Sequence, residues 1–328
     1  MADLTTTYMG LTLSSPLVLA SSSLSNRVEN FQVAEQHGAG AVVLRSLFEE
    51  QIEAIDTQLQ EALEKHSESF AEATTYFPRQ AIGPREYLRL VGAAKKAVRI
   101  PVLGSLNCNA PGSWSQYARQ IEEAGADGLE VNLYDIGADP QVTAAQLEDR
   151  YQSIIGSIRD AVKIPLAVKL APWFTSLANT VARYDAAGVQ AFVLFNRFLQ
   201  PDISIEKLSL KNDMSLSQPG EMLLPLRWIA ILHGRIQADL AASTGVHDAA
   251  SVVKMLLAGA TVVQVAAALV RNGIPYLGKM RDGLDDWMDK RGYAQVADFR
   301  GTLSQRVIRD PGAFERAQYV HLILSQNL

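Results

Sequence analysis

Short runs of apolar, often β-branched residues recur along the chain. They are PLVLAS at 16–21, AVVLRS at 41–46, PVLGSLN at 101–107, DGLEVNL at 127–133, PLAVKL at 165–170, AFVLFN at 191–196, QADLAA at 237–242 and TVVQVA at 261–266. Between them the apolar positions fall at helical spacing. Eight strands alternating with helices predict a parallel sheet, and strands buried on both faces should read as nearly continuous apolar runs, as these do. Eight is also the number that closes a (β/α)8 TIM barrel. A single α/β barrel domain over residues 1–328 is therefore expected.

An internal repeat supports the pattern. The even-numbered strands are entered through one phrase, HGAGAVVL, EAGADGLEV, AAGVQAFVL and LAGATVVQV, in which Gly38, Gly125, Gly188 and Gly259 sit where a helix end needs a left-handed residue. Strands three and five are entered through AVRIP and AVKIP, whose Pro101 and Pro165 stop a helix and open a strand. Strand starts lie 24 to 26 residues apart except after strands two, four and six, where the steps are 60, 38 and 46 residues. Extended loops after strands 2, 4 and 6 would build up the C-terminal face of the barrel, where such folds carry their sites. The segment DDWMDKRGYAQVADFRG reads as helical packing at the end of the same domain.

Polar residues interrupt the apolar pattern at the strand tips. Side chains alternate along a strand, so Glu130 and Asn132 share one face, as Lys169 does opposite Val168 and Leu170, and both faces point into the barrel mouth. A buried carboxylate and a buried ammonium on neighbouring strands should pair. Arg45 and Asn196 end strands two and six, and together these tips favour a ligand over a purely structural reading. The last two strands end in AASTGVHDAAS and QVAAALVRNG. Small residues before helix starts expose backbone N–H groups, which suits a phosphate after strands seven and eight.

Composition then narrows the partners. A net charge of -5 with scattered basic residues gives no bulk attraction to nucleic acid. The N-terminus lacks signal-peptide regions and no run approaches 18 uninterrupted apolar residues, so a soluble, cytoplasmic protein away from membranes is expected. A single cysteine, Cys108, excludes an internal disulfide or a cysteine-clustered metal site, and no metal is expected.

In SPLVLASS at 15–22, EVNL at 130–133, VKLAPWF at 168–174, LFNRF at 194–198, TGVHDA at 244–249, LLAGATVVQV at 256–265 and RGYAQVADFRG at 291–301, the chain resembles the FMN-dependent dihydroorotate dehydrogenases of the class 1 type. It is most similar to a subgroup with altered catalytic residues. The resemblance implies FMN as cofactor, dihydroorotate or an analogue as substrate, a homodimer and an electron-transfer partner. It places Ala20, Ser21 and Ser22 along the flavin, with Lys169 near the edge where reduction deposits negative charge. Asn107, Asn132 and Asn196 match positions that bind flavin or substrate. Ser243, Thr244 and Gly245, with Ala266 and Ala267, match the two phosphate loops.

The departures fall unevenly. Arg45 stands where the family has a lysine, and a planar guanidinium is not an ammonium. Ala266 and Ala267 replace a glycine and a threonine, keeping the backbone donors but losing a hydroxyl worth about 0.5–1.5 kcal/mol. After strand four the cysteine base position is Asp135 and a substrate asparagine is Gly137, while Thr75 corresponds to another. Tyr134 closes the pocket or serves as a weaker base. Cys108, after strand three, reads as an unreactive buried thiol. Three readings stand open: an FMN-dependent oxidoreductase with weak or no dihydroorotate oxidation; a catalytically inactive flavin- or phosphate-ligand-binding barrel acting through a partner; and a lyase with Lys169 as Schiff-base nucleophile.

Overall fold

The computed structural model describes residues 2–48, 83–108, 114–197, 200–211 and 215–325. Each apolar run contains a strand: β1 (Leu17–Leu19), β2 (Ala41–Val43), β3 (Val102–Cys108), β4 (Gly128–Leu133), β5 (Leu166–Leu170), β6 (Ala191–Leu194), β7 (Asp239–Ala242) and β8 (Val262–Val265). All neighbours pair in parallel. The order runs β2-β1-β8-β7-β6-β5-β4-β3, and β3 pairs back onto β2, closing the barrel. Around it lie α1 (Val28–Gln36), α2 (Pro84–Ala97), α3 (Trp114–Glu123), α4 (Ala144–Ala161), α5 (Leu177–Ala186), α6 (Leu223–Leu232), α7 (Ala249–Ala258), α8 (Ala267–Asn272) and α9 (Tyr276–Arg291). A last helix, α10 (Arg316–Ser325), ends the described chain.

Strand alternation divides the core in two. Leu19, Val42, Val131, Val168, Phe192 and Val263 face outward into one large cluster with the helices. Val18, Val43, Leu103, Ala167, Val193 and Val262 face inward into a second cluster, which also takes in Tyr8, Met9 and Leu13. Those last residues belong to an antiparallel hairpin, Thr6–Tyr8 with Leu11–Leu13, that the apolar pattern did not reveal. It plugs the N-terminal end of the barrel, fixed by a hydrogen bond from the Met9 N–H to Asp239 Oδ2 at 2.8 Å. The lower half of the barrel is thereby apolar and closed, so its open end is the C-terminal mouth.

The four repeat glycines all take positive φ, from 87° at Gly38 to 120° at Gly259. Three of them follow an acid by three residues, and each acid performs the same task. Glu35 accepts the N–H groups of Arg99 and Ile100, Glu122 those of Lys163 and Ile164, and Asp185 those of Gln237 and Ala238. Each carboxylate on a helix before an even strand thus clamps the turn entering the next odd strand, satisfying two backbone donors that would otherwise be left without partners.

The connection after β4 contains an 18-residue helix, α4, so part of its extra length is helix. That after β6 carries a second unforeseen hairpin, Asp202–Ser204 with Ser209–Lys211. Most of the connection from β2 to β3, Thr75 included, lies outside the described residues.

Two glycines test the packing. A Cβ on Gly40, at the start of β2, would sit 2.0 Å from the Ser15 carbonyl oxygen, whereas one on Gly156, inside α4, meets nothing within 4 Å. Gly40→Ala should destabilise by about 1–3 kcal/mol through forced strand displacement, and Gly156→Ala should stabilise by roughly 0.5–1 kcal/mol. Denaturant midpoints of the two variants check both signs.

Candidate functional site

Above the apolar layer the inward positions turn polar. Ser105, Glu130 and Gln264 form the next level, and Asn107, Asn132 and Lys169 the level above, because β3, β4 and β5 run in register: Ser105 lies beside Glu130, and Asn107 beside Asn132, itself beside Lys169. Glu130 is fully buried and Lys169 nearly so. Lys169 Nζ lies 3.6 Å from Glu130 Oε1, while Gln264 Nε2 donates to Glu130 Oε2 at 2.5 Å. The expected lysine–glutamate pair is present, braced from across the barrel by an amide that the sequence reading overlooked.

A second network fills the opposite wall. Ser46 Oγ lies 2.8 Å from Ser105 Oγ and 3.2 Å from Ser21 Oγ, and accepts a long bond of 3.4 Å from Asn132 Nδ2. Tyr87 locks this wall from behind, its hydroxyl accepting the Ser105 N–H at 2.7 Å and donating to the Ser105 carbonyl at 3.1 Å. Desolvation raises the Tyr87 phenol far above the ordinary tyrosine range, so it stays a neutral donor.

These walls enclose a cavity of about 540 Å³ at the C-terminal mouth, within the roughly 300–1,000 Å³ usual for cofactor and ligand sites. Ala20, Ser21 and Ser22 line it from the tip of β1, and Arg45 from that of β2. Asn107, Asn132, Lys169 and Asn196 line it from β3 to β6. Ser243, Thr244 and Gly245 approach from the β7 end, Ala266 and Ala267 from the β8 end. Tyr134 also faces it, with its phenol raised by burial. Asp135 does not line it. Its carboxylate accepts the Gly137 N–H at 2.7 Å and stands 3.6 Å from Arg150 Nη1, on the far side of Tyr134 in sequence. Cys108 is buried and points away from the cavity, into the outer core.

Two buried oxygens of residues on the cavity wall, Asn132 Oδ1 and Gln264 Oε1, have no hydrogen-bond partner among the described residues. Leaving such groups unpaired costs about 1–3 kcal/mol each, so the wall is incomplete without a ligand that donates. Arg45 lines the same cavity, and among the described residues its guanidinium has no carboxylate partner. At the β7–β8 end, the N-terminus of α7 is closed by its own Asp248, whose side chain accepts the Ser251 N–H at 2.8 Å. The start of α8, at Ala266, has no such cap. In the 243–245 turn, where Thr244 and Gly245 both have φ of 77°, the Ser243 N–H is spent on the Leu194 carbonyl and the Gly245 N–H on Ser217 Oγ, so the Thr244 N–H and the start of α8 are what remains for an anion.

The sequence reading missed the residues the β6 connection brings in. Arg197, Ser215 and Ser217 line the cavity from that side. Arg197 is held by Glu221, its Nε 2.8 Å from Oε2, and that bond keeps the Glu221 carboxyl below its usual range although burial works the other way. No periodicity marks such loop residues. Gln264, by contrast, was visible as the lone polar residue of VVQV.

A family model described as dihydroorotate dehydrogenase matches residues 3–288. The chain is 24% identical over 318 residues to "Dihydroorotate dehydrogenase B (NAD(+)), catalytic subunit" of Thermoplasma volcanium, covering 93% of this chain and 100% of that protein. It is 25% identical over 314 residues to the protein of the same description from Pyrococcus furiosus, covering 91% and 97%. Among the described residues no helix is long and apolar enough to cross a membrane.

The buried pair gives a test independent of any ligand. Glu130→Gln leaves Lys169 without its counter-charge and should destabilise by about 2–3 kcal/mol, below the roughly 3–5 kcal/mol of a fully enclosed pair because Nζ borders the cavity. Adding Lys169→Met should restore most of that loss. A denaturation cycle over the four proteins reads the coupling.

Proposed function

The chain belongs to the dihydroorotate dehydrogenase family, and from that premise we propose that it is an FMN-dependent oxidoreductase whose substrate is not handled as dihydroorotate is. The observation that carries the reading is the cavity wall at the barrel mouth: buried, unpartnered Asn132 Oδ1 and Gln264 Oε1 beside the Lys169 ammonium. A flavin ring offers the N–H donor that such oxygens lack and needs a cation nearby. The residues present therefore suit the cofactor.

Ala20, Ser21 and Ser22, with Arg45, Asn107, Asn132, Lys169 and Asn196, would hold the ring system. The turns at Ser243, Thr244 and Gly245 and at Ala266 and Ala267 would hold the phosphate, chiefly through the N–H groups of Thr244, Ala266 and Ala267. When bound, the flavin accepts a hydride equivalent from a substrate carbon. Lys169 supplies positive charge where that electron uptake deposits negative charge, and the dry cavity floor beneath it strengthens the attraction. Glu130 keeps the ammonium aimed at the mouth and offsets its charge.

The substrate end supports the second half of the proposal. Oxidation of dihydroorotate needs a base within about 3 Å of a carbon-bound proton. Asp135 occupies the sequence position of that base, yet its carboxylate is engaged by the Gly137 N–H and Arg150. To act, it must exchange those contacts for the cavity. Gly137 is exposed and has no side-chain amide to offer a carboxylate. Two missing charge-assisted contacts, at about 1.5–3 kcal/mol each, would weaken transition-state binding by roughly two to four orders of magnitude. A substrate without the carboxylate, closed in by Tyr134, would escape the second obstacle and would still need Asp135 released from its contacts to act as base.

Anaerobic mixing of the flavin-loaded protein with dihydroorotate should leave the flavin absorption unbleached over the first second. Rapid bleaching that Asp135→Ala abolishes would instead make the protein an ordinary member of the family with an aspartate base. Lys169→Met should stay yellow, since the phosphate anchors are untouched, and shift the flavin midpoint potential to more negative values. A spectroelectrochemical titration showing no shift would remove Lys169 from that role.

A further inference from the structure

We propose that α10 and the arginines around it form a docking surface for an anionic lipid bilayer, on which the barrel rests without crossing it. This surface is independent of what the cavity binds, and α10 lies beyond the residues 3–288 that the family model matches. The helix carries no acid and no lysine or arginine beyond Arg316, and it is apolar around most of its circumference. A helix of that kind is ordinarily buried, yet none of its residues is. Tyr319, Val320, Leu322, Ile323 and Leu324 are between 43% and 77% exposed. α10 rests on the turn Pro311–Phe314, and its Gln318 accepts from Arg227 of α6, which fixes the side that faces the barrel. Tyr319 with Ile323, and Val320 with Leu324, stand one turn apart on the sides away from Gln318. The helix therefore presents an apolar ridge to solvent, not a groove.

The surroundings choose the partner. Gln305 ties this segment to α6: its N–H donates to the Ala230 carbonyl at 2.9 Å, its Nε2 donates to Glu315 at 2.7 Å, and Arg235 donates to its Oε1 at 2.7 Å. Residues 222–236 and 301–325 thus make one surface, in which Arg227, Arg235, Arg306, Arg309 and Arg316 stand against Asp310 and Glu315 alone. Five arginines against two acids leave +3 on a chain of net charge -5. Both acids are engaged within the protein, Asp310 by the Gly312 N–H at 3.1 Å and Glu315 by the Gln305 amide. Among the described residues none of the five arginines has a carboxylate within ion-pair distance. Exposed Leu223, one turn before Arg227, and Val307, between Arg306 and Arg309, place further apolar area among the same arginines. Two copies meeting through this face would bring like charges together, which opposes self-association, while a negative surface is attracted. A ridge has no pocket to receive the side chains of an acidic protein, whereas a fluid bilayer accommodates it. Arginine stems lie along apolar surface while their heads reach phosphate, and tyrosine suits the headgroup level. The 10 residues of α10 are half of the roughly 20 that a span requires, so the helix lies in the interface.

The test uses the full chain and two kinds of vesicle, phosphatidylcholine alone and phosphatidylcholine mixed with phosphatidylglycerol, with the bound fraction read by flotation. Binding is expected to the mixed vesicles only, and it should fall as salt is added. Ile323→Glu, a substitution on the exposed ridge, should weaken it about tenfold or more. Arg309→Glu combined with Arg316→Glu should remove the preference for the anionic vesicles. Leu208→Glu places the same charge on an equally exposed apolar position, in the hairpin after β6, and should leave binding unchanged. Equal binding to both kinds of vesicle, or binding that survives Ile323→Glu, would overturn the proposal, as would a protein that floats with neither. Sedimentation velocity showing a dimer that Ile323→Glu dissociates would also overturn it, because a second copy would then cover the ridge.

Discussion

The barrel interior is organised by one buried ion pair, and the architecture above and below follows from how it is compensated. Glu130 has no exposure at all, so its charge is tolerable only with Lys169 at 3.6 Å and the Gln264 amide at 2.5 Å on its two oxygens. Glu130 and its two partners come from three different strands, β4, β5 and β8. A slip of one residue in any of them would turn the polar side chain into the outer core. The pair therefore specifies register as well as charge, and it sets the height at which the apolar floor ends and the chemistry begins.

That floor has to be sealed from the other side. The N-terminal hairpin does so with Tyr8, Met9 and Leu13, and its Tyr8 phenol, pushed up by burial and then by Glu130 and Asp239, stays neutral beneath the carboxylate. The carboxylate clamps from Glu35, Glu122 and Asp185 fix the turns into β3, β5 and β7, two of which carry Asn107 and Lys169 into the mouth. Strand tips hold the side chains of the β1–β6 side of the cavity, while loops supply the rest. Precision at a site of this kind depends on the former.

Strands were readable because burial on both faces leaves no choice but continuous apolar runs, and the glycine phrases because a left-handed helix end admits little else. The clamps were readable in principle: an acid stands three residues before Gly38, Gly125 and Gly188, and Leu256 takes that place before Gly259, where no clamp forms. The hairpins were not, since three-residue strands such as Thr6–Tyr8 carry too few positions to show a period. Lys169, Glu130 and Asn132 announced themselves as polar residues in apolar strands, and Gln264 carried the same signal unnoticed. Ser217 carried none, for its neighbours Leu216 and Gln218 obey no pattern and only the folded loop brings it to Gly245. Asp135 shows the opposite limit: sequence position set it beside Tyr134, but the turn at Gly137 and the reach of Arg150 decide where its charge is spent.

The contrast between the two ends of the cavity bears on whether the barrel still works. Replacing a buried ion pair with well-packed apolar residues is often neutral or stabilising by about 1–4 kcal/mol, and unpartnered buried oxygens lower stability further. A barrel that only needed to fold would be better served without Glu130, Lys169, Gln264 and the open acceptor of Asn132. Lys169, Gln264 and Asn132 line one cavity, with Glu130 buried beside Lys169, and a ligand that donates to the oxygens and carries negative charge near the ammonium would offset the cost of keeping them. At the other end, Asp135 spends its carboxylate on the Gly137 N–H and Arg150 and does not line the cavity, while Arg45 does. A buried polar layer that is costly to keep and borders a ligand-sized cavity argues for a site that takes a ligand.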